Sequence, residues 1–136
     1  MDAVESVSDG FALWDEHDRL ILTNSRLRAI FSDLGEAQNR GLTFEEALRV
    51  GVERRVYADI GDTQAEVEAW IMETVARHRS PGETFEVKLT GNRWLLVSER
   101  RTESGLIVGT YTDITRRKKD EESLRNLSVS VRKVHE

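Results

Sequence analysis

The sequence predicts an α+β fold with a five-stranded antiparallel sheet, a helical insert within the sheet order, and a helix at the C-terminus. Three observations lead to this prediction. Two short apolar runs with a polar turn between them open the chain, two helix-capping signatures occupy its middle, and three strand-like runs joined by turns follow. Antiparallel strands that meander around a helical insert favour an α+β fold over one with a parallel sheet.

Composition indicates one globular domain with an appendage. The chain has 136 residues, of which 38% are hydrophobic and 33% charged. A net charge of -5 argues against binding to nucleic acid or to an anionic membrane. The complete lack of cysteine excludes disulfides, thiolate metal sites and cysteine nucleophiles. No apolar run reaches the length of a membrane span, and no signal peptide is evident, so we expect a cytoplasmic protein.

The N-terminal third contains a predicted hairpin. Ala3, Val4 and Val7 follow helical spacing, so residues 1–9 are expected to form a lead-in helix. Apolar runs at 11–14 and 20–22 flank a polar turn and predict two paired strands. Asn24 then supplies a helix cap, and the apolar stripe of the helix after it consists of Leu27, Ile30, Phe31 and Leu34.

Two capping boxes predict two further helices. Thr43 with Glu46 opens the first, and Thr63 with Glu66 opens a longer one that ends at Pro81. One face of the longer helix is predicted to carry Val67, Trp70, Ile71, Thr74, Val75 and His78.

Three strand-like runs complete the predicted sheet. Residues 85–89 alternate between apolar and charged side chains, as in a half-buried strand. Residues 94–97 are apolar at successive positions, and residues 106–113 form the last strand. No Asp or Glu falls on the positions of these strands that we predict to face inward.

The last segment, residues 116–136, is predicted to be a helix with a coiled-coil seam. Its first turn carries four cations, which the helix dipole disfavours, so the start needs a cap from Asp113 or Thr115. Apolar side chains spaced three, four and three residues apart then suggest a parallel dimer. The alternative is a helix that folds back onto its own domain. The predicted seam consists of Leu124, Leu127, Val131 and Val134.

Three short motifs in this order resemble the PAS family of sensor domains. Residues 9–15 resemble its opening strand and acidic turn, residues 20–24 its second strand with the helix-starting Asn, and residues 108–115 its closing Asp-Ile-Thr signature. The resemblance covers about residues 5–115 and implies a sensor domain over 10–115. It also implies that a signal leaves through Asp113, Ile114 and Thr115.

The resemblance further implies a small pocket between the sheet and the long helix. Large residues in so small a domain favour the reading in which side chains simply fill this space. The walls would be drawn from Trp70, Ile71, Thr74, Val75, Phe85, Val87, Trp94, Leu96, Val108 and Thr110.

We expect no cofactor, although the resemblance leaves one haem hypothesis. Some PAS haem sensors ligate iron through a His on the long helix, which points to His78. We favour the reading without a metal, because the helix C-terminus accommodates a His in the last turn beside Arg77 and Arg79 and no second His lies nearby in the sequence. Cysteinyl-flavin photochemistry is excluded because the chain has no cysteine.

Taken together, the sequence predicts a sensory and dimerisation module of a bacterial-style signalling protein. The expected partners are a second copy of the chain, a covalently linked effector beyond residue 136 (a histidine kinase, diguanylate cyclase or nucleotide cyclase), and a small molecule. A ligand-free structural dimerisation domain is the first alternative. A small α+β enzyme of the isomerase type is the second, and the chain shows none of the common catalytic motifs.

Overall fold

The computed structural model describes residues 9–38 and 41–135, so the predicted lead-in helix over 1–9 lies almost wholly outside the described residues. The strands are β1 (Gly10–Trp14), β2 (Leu20–Thr23), β3 (Phe85–Leu89), β4 (Arg93–Arg101) and β5 (Ile107–Asp113). The α-helices are α1 (Ser25–Ile30), α2 (Phe44–Glu53), α3 (Gln64–Arg79) and α4 (Thr115–His135), and a 3-10 segment spans Ser32–Gln38.

The predicted fold class is confirmed. The five strands form one sheet in the order β2-β1-β5-β4-β3, and every neighbouring pair is antiparallel. The first and last strands, β1 and β5, are neighbours in the middle of the sheet. The helices α1 to α3 connect one edge strand, β2, to the other, β3.

Asn24 fixes the passage from the hairpin into α1. Its Oδ1 accepts hydrogen bonds from the backbone N–H groups of Leu27 and Phe11, each at 3.0 Å. Its Nδ2 donates to the carbonyl of Asp9 at 2.9 Å, and the residue is 1% exposed. One buried amide therefore caps a helix and ties that helix to β1.

Both predicted capping boxes are present at the starts of α2 and α3. In each, the threonine hydroxyl accepts from the N3 backbone N–H, while the N3 glutamate carboxylate accepts from the backbone N–H of the cap threonine. The inward face of α3 carries Ile71, Thr74, Val75 and His78, all of them buried.

Side chains of the core form two packed groups. The larger lies between the inner sheet face and α1 and includes Ala12, Trp14, Leu95, Val97 and Tyr111. The smaller joins α2 to α3 and consists of Leu48, Ile71 and Val75.

Four strand residues that we predicted to line the pocket lie on the opposite face of the sheet. On β4 the buried positions are Leu95, Val97 and Glu99, and on β5 they are Ile107, Gly109 and Tyr111. Successive side chains of a strand point to opposite faces, so the residues between them lie on the outer face. These misassigned residues are Trp94, Leu96, Val108 and Thr110.

A candidate ligand cavity and helix junction

A cavity of about 230 Å³ lies between the inner face of the sheet and the helices. The expectation that side chains fill this space is therefore wrong. Its walls include seven aromatic residues of the described chain, namely Trp14, Phe31, Phe44, Tyr57, Trp70, Phe85 and Tyr111.

The predicted pocket residues divide into three groups. Trp70, Thr74, Phe85 and Val87 line the cavity. Ile71 and Val75 instead pack against Leu48 of α2, because the face of α3 that carries them turns toward that helix. The four residues on the outer sheet face do not reach the cavity, since the strand alternation places them on the opposite side.

Beside the cavity, His78 lies between two carboxylates. Its Nδ1 is 2.7 Å from Glu99 Oε2, and its Nε2 is 2.6 Å from Asp18 Oδ1. The imidazole side chain is fully buried and stacks on Phe44, with ring centroids 3.8 Å apart. Ionised carboxylates only accept hydrogen bonds, so both ring nitrogens donate and the ring is an imidazolium. We name these three residues the buried triad.

The pKa values of His78 and Asp18 agree with this charge state. Burial alone would lower the pKa of His78, but its hydrogen bonds to Asp18 and Glu99 and their negative charges outweigh burial and raise it above the ordinary value. Burial would raise the pKa of Asp18, and the hydrogen bond and charge of His78, together with Arg79, lower it instead. His78 and Asp18 thus stabilise each other's ionised form.

Sequence reasoning missed Glu99 and Asp18, and the prediction that no acid faces inward from the closing strands is wrong. Glu99 is 6% exposed on the inner face of β4, where its cross-strand neighbour is Gly109. A Cβ at Gly109 would lie 3.6 Å from Glu99 Oε2, an ordinary van der Waals contact, so the carboxylate passes directly over this position. The alternation from Leu95 through Val97 to Glu99 was the available signal.

The same geometry argues against His78 as a haem ligand. Iron coordination needs a ring nitrogen with a free lone pair, and both nitrogens here face carboxylates within 2.7 Å. The described residues around His78 therefore do not fit axial ligation of iron.

Asp113, Ile114 and Thr115 connect β5 to α4 by four hydrogen bonds. Asp113 Oδ1 accepts from the Thr115 N–H at 2.9 Å, and Thr115 Oγ1 accepts from the Trp94 N–H at 3.0 Å. The Ile114 N–H donates to the Trp94 carbonyl at 2.9 Å, while the Ile114 carbonyl accepts the first helical bond from Lys118. Ile114 is 6% exposed, so the start of α4 is anchored in the core and to β4.

A charged contact holds the first turn of α4 against β3. Lys118 Nζ lies 2.8 Å from Glu86 Oε1, and an Arg117 guanidinium nitrogen lies 3.3 Å from Glu86 Oε2. Lys118 Nζ also lies 4.5 Å from the ring centre of Trp94. The hydrogen bond from Lys118, with both positive charges, lowers the pKa of Glu86. Glu86, on a strand that borders the cavity, thus offsets two cations that the dipole at the start of α4 disfavours.

Farther along α4, the first two seam residues are exposed. Leu124 is 66% and Leu127 is 62% exposed, so a fold-back onto the domain does not cover them in this structure. Val131 and Val134 lie within the helix, and their side chains are outside the described residues.

The described residues contain neither a candidate membrane span nor a candidate metal cluster. Within residues 9–38 and 41–135, no helix combines the length and apolarity of a membrane span. The same part of the chain contains no group of three or more His, Cys, Asp or Glu side chains placed to hold a metal ion.

A family model described as PAS fold matches residues 4–122. The non-motile and phage-resistance protein of Caulobacter vibrioides is 32% identical over 128 residues, which covers 91% of this chain and 13% of that protein. The chain thus spans about an eighth of the length of this curated relative.

Two solved structures are also similar. The PAS domain of Bordetella pertussis BvgS is 23% identical, with a TM-score of 0.49 and coverage of 95% of this chain and 93% of that one. An RNA-binding light-oxygen-voltage receptor is 18% identical, with a TM-score of 0.53 and coverage of 94% and 36%. At this identity the second likeness concerns the fold alone.

Proposed function

The chain belongs to the PAS family of sensory domains, and we propose that it relays a change at its cavity or sheet through α4 to a covalently joined effector. In this proposal two copies of the chain dimerise through α4, and the domain itself carries out no chemistry. The effector would be a histidine kinase, diguanylate cyclase or nucleotide cyclase of a bacterial signalling protein. A cytoplasmic location stays a prediction.

The observation that carries the proposal is the hydrogen-bonded junction between β5 and α4. Asp113, Ile114 and Thr115 tie the helix start to Trp94 on β4, and Glu86 on β3 holds its first turn. Any shift of β3 or β4 relative to β5 must therefore move or release the start of α4. A ligand shifts such an equilibrium only through a different affinity for two states, so the proposal requires two arrangements of α4.

The exposed seam of α4 supports the dimeric part of the proposal. Leu124 and Leu127 are both more than half exposed, and their three-residue spacing matches the a and d positions of one heptad. Covering them with the same residues of a second copy removes apolar surface from water. An isolated helix with so few apolar residues is marginal, which makes the partner helix necessary for a stable output segment.

Native mass spectrometry of the 136-residue chain, purified from cells, tests the dimer, and an absorption spectrum of the same sample reports any bound chromophore. We expect a dimer for the wild type and for Asn126→Glu, whose side chain lies off the seam. We expect a monomer for Leu127→Glu, because two carboxylates would face each other across the seam. A monomeric wild type, or a dimeric Leu127→Glu, would overturn dimerisation through α4.

The two alternative functions each require a feature that can be compared with the structure. A purely structural dimerisation domain requires a filled core, whereas a cavity of about 230 Å³ favours a ligand. An isomerase-type enzyme requires a carboxylate that can exchange protons with a substrate. Glu99 does line the cavity, but its Oε2 is engaged by the imidazolium of His78 at 2.7 Å, which favours a structural role.

A further inference from the structure

A single proton holds the buried triad together. His78 donates from both ring nitrogens, to Glu99 at 2.7 Å and to Asp18 at 2.6 Å, and only an imidazolium has two N–H groups. A neutral imidazole keeps one N–H and presents a lone pair at its other nitrogen. Loss of the proton therefore leaves one carboxylate facing a lone pair, and that contact breaks because two acceptors repel each other.

Asp18 is the member of the triad that can leave. It lies in the short turn between β1 and β2, beside the exposed Glu16, whereas Glu99 is 6% exposed and is paired with Gly109 of β5. The second carboxylate oxygen of Asp18, Oδ2, is buried and makes no hydrogen bond with any described residue. Among the described residues, the bond from His78 is thus the hydrogen bond that keeps this side chain in place.

Charged groups face the triad from three elements. Glu99 faces His78 from β4, Asp18 faces it from the turn, and Arg79 of α3 lies 3.6 Å from Asp18 Oδ2. Burial and the negative charge of Glu99 raise the pKa of Tyr111 on β5, so this phenol stays neutral. The rings that β1 and α2 place against the imidazole are aromatic hydrocarbon or indole and do not titrate.

The pH dependence of the triad has one direction. Against the effect of burial, the hydrogen bonds and charges of Asp18 and Glu99 raise the pKa of His78. Also against burial, His78 and Arg79 lower the pKa of Asp18, so its carboxylate remains ionised at mildly acidic pH. The triad is therefore closed at low and neutral pH. It opens as the pH rises through the folded value of His78, which lies above the ordinary value of about 6.5.

Movement of Asp18 affects the start of α2 as well as the turn. The Asp18 carbonyl accepts a hydrogen bond from the Phe44 N–H at 3.0 Å. A β-bridge between Arg19 and Thr43 joins the same two segments. Because Phe44 and Glu99 both line the cavity, separating the turn and α2 from α3 changes the cavity wall.

We propose that the buried triad is a proton-operated switch: with the proton on His78 it holds the β1–β2 turn and the start of α2 against α3 and β4, and loss of that proton to solvent releases Asp18 with both segments. After release, His78 keeps its Nδ1–H and its bond to Glu99, while the Asp18 carboxylate is hydrated. This inference rests on the proposed sensory function, because it names a proton as a signal that acts at the same cavity wall.

A nuclear magnetic resonance titration of the 136-residue chain tests the switch directly. Imidazole nitrogen shifts report the protonation of His78 from about pH 6 to about pH 9.5, and nuclear Overhauser contacts from its ring to Asp18 and Phe44 report the local structure. We expect the ring to lose its proton in this range and both contacts to weaken at least about twofold as the open form becomes populated. The contact between the rings of Phe31 and Tyr111, whose centroids are 5.9 Å apart, should persist because the fold is kept.

Three results of this titration would overturn the switch. The first is an imidazole that keeps its proton over the whole range. The second is an imidazole that loses its proton while its contacts to Asp18 and Phe44 stay unchanged. The third is loss of the contact between Phe31 and Tyr111 at the same pH, since this would mean general unfolding.

Two variants separate His78 from its neighbours. Asp18→Asn keeps a residue that tolerates the left-handed backbone at this position, where φ is 66°. Its amide accepts from a charged imidazole and donates to a neutral one, so we expect the contact to persist while His78 titrates at a lower pH than in the wild type. His17→Gln removes the exposed histidine beside Asp18 and should respond as the wild type does. An Asp18→Asn variant that loses the contact like the wild type, or a His17→Gln variant that keeps it at high pH, would overturn the assignment.

Nitroxide labels on α4 distinguish failure of the switch from failure of the relay. In a dimer labelled at Asn126→Cys, double electron–electron resonance gives the distance between the labels at both ends of the pH range. A shift in the otherwise wild-type chain that is absent in Asp18→Asn would support the switch and the relay together. An unchanged distance despite weakened His78 contacts would support the switch and overturn the relay through α4.

Discussion

Replacing His78 with Phe should destabilise the protein strongly, although the new ring fits the same stacked position on Phe44. The substitution leaves the Glu99 side chain, 4% exposed, without the imidazolium that now lies 2.7 Å away. Breaking a buried charged pair by removing one partner costs about 3–5 kcal/mol. For 136 residues the entropy of unfolding converts this loss into a fall in Tm of about 10–17 °C.

The matched control is the double variant His78→Phe with Glu99→Leu. Because replacing both members of a buried pair by apolar residues is often close to neutral, the double variant should recover more than half of the lost stability. Urea unfolding followed by circular dichroism measures the free energy of unfolding of each variant. A loss below about 1 kcal/mol in the single variant, or a double variant no more stable than the single one, would refute this account of the triad.

Three other predictions concern His78, Asn24 and Glu86. The raised pKa of His78 means that its stabilisation is complete below the unfolded pKa of about 6.5 and is lost as pH rises through the folded value. The stability gap between wild type and the double variant should therefore shrink between pH 6 and pH 9 in urea unfolding, and a constant gap would contradict the shift. Asn24→Ala removes acceptors from two backbone amides and should cost about 2–4 kcal/mol in the same assay, with Asn24→Asp recovering part of the loss. Glu86→Gln should change the unfolding free energy by less than about 1 kcal/mol. It should nevertheless speed hydrogen exchange at the Lys118 amide. Unchanged exchange would argue that the charged contact of Glu86 does not hold the first turn of α4.

Local patterns in the sequence predicted the order of the strands and α-helices, but the helix predicted to continue through Leu34 ends at Ile30, and a 3-10 segment follows it. Thr43 and Thr63 begin helices because a capping box needs only residues three positions apart. The apolar run from Trp94 to Val97 does not assign a face by itself, and the only periodic signal on β4 is the spacing of Leu95, Val97 and Glu99, which places a charged residue on the inner face.

The triad and the cavity depend on contacts between distant parts of the chain. His78 and Asp18 are 60 residues apart, and His78 and Glu99 are 21 apart, so no local period relates them. Glu99 lies beyond the apolar run 94–97, and its partner His78 on α3 comes within 2.7 Å of it only in the folded chain. Cavity volume depends on the gap left between packed elements, which the sizes of individual residues do not determine.

The central claim is that the junction at Asp113 sets the arrangement of α4 in the dimer. The chain has no cysteine, so Asn126→Cys gives a single site for a nitroxide label on the exposed, off-seam side of the helix. Double electron–electron resonance then measures the distance between the two labels in the otherwise wild-type dimer, in Asp113→Ala, and in the helix-surface control Glu122→Ala. We predict that Asp113→Ala shifts or broadens the distance distribution and that Glu122→Ala does not. Identical distributions in all three dimers would contradict the account.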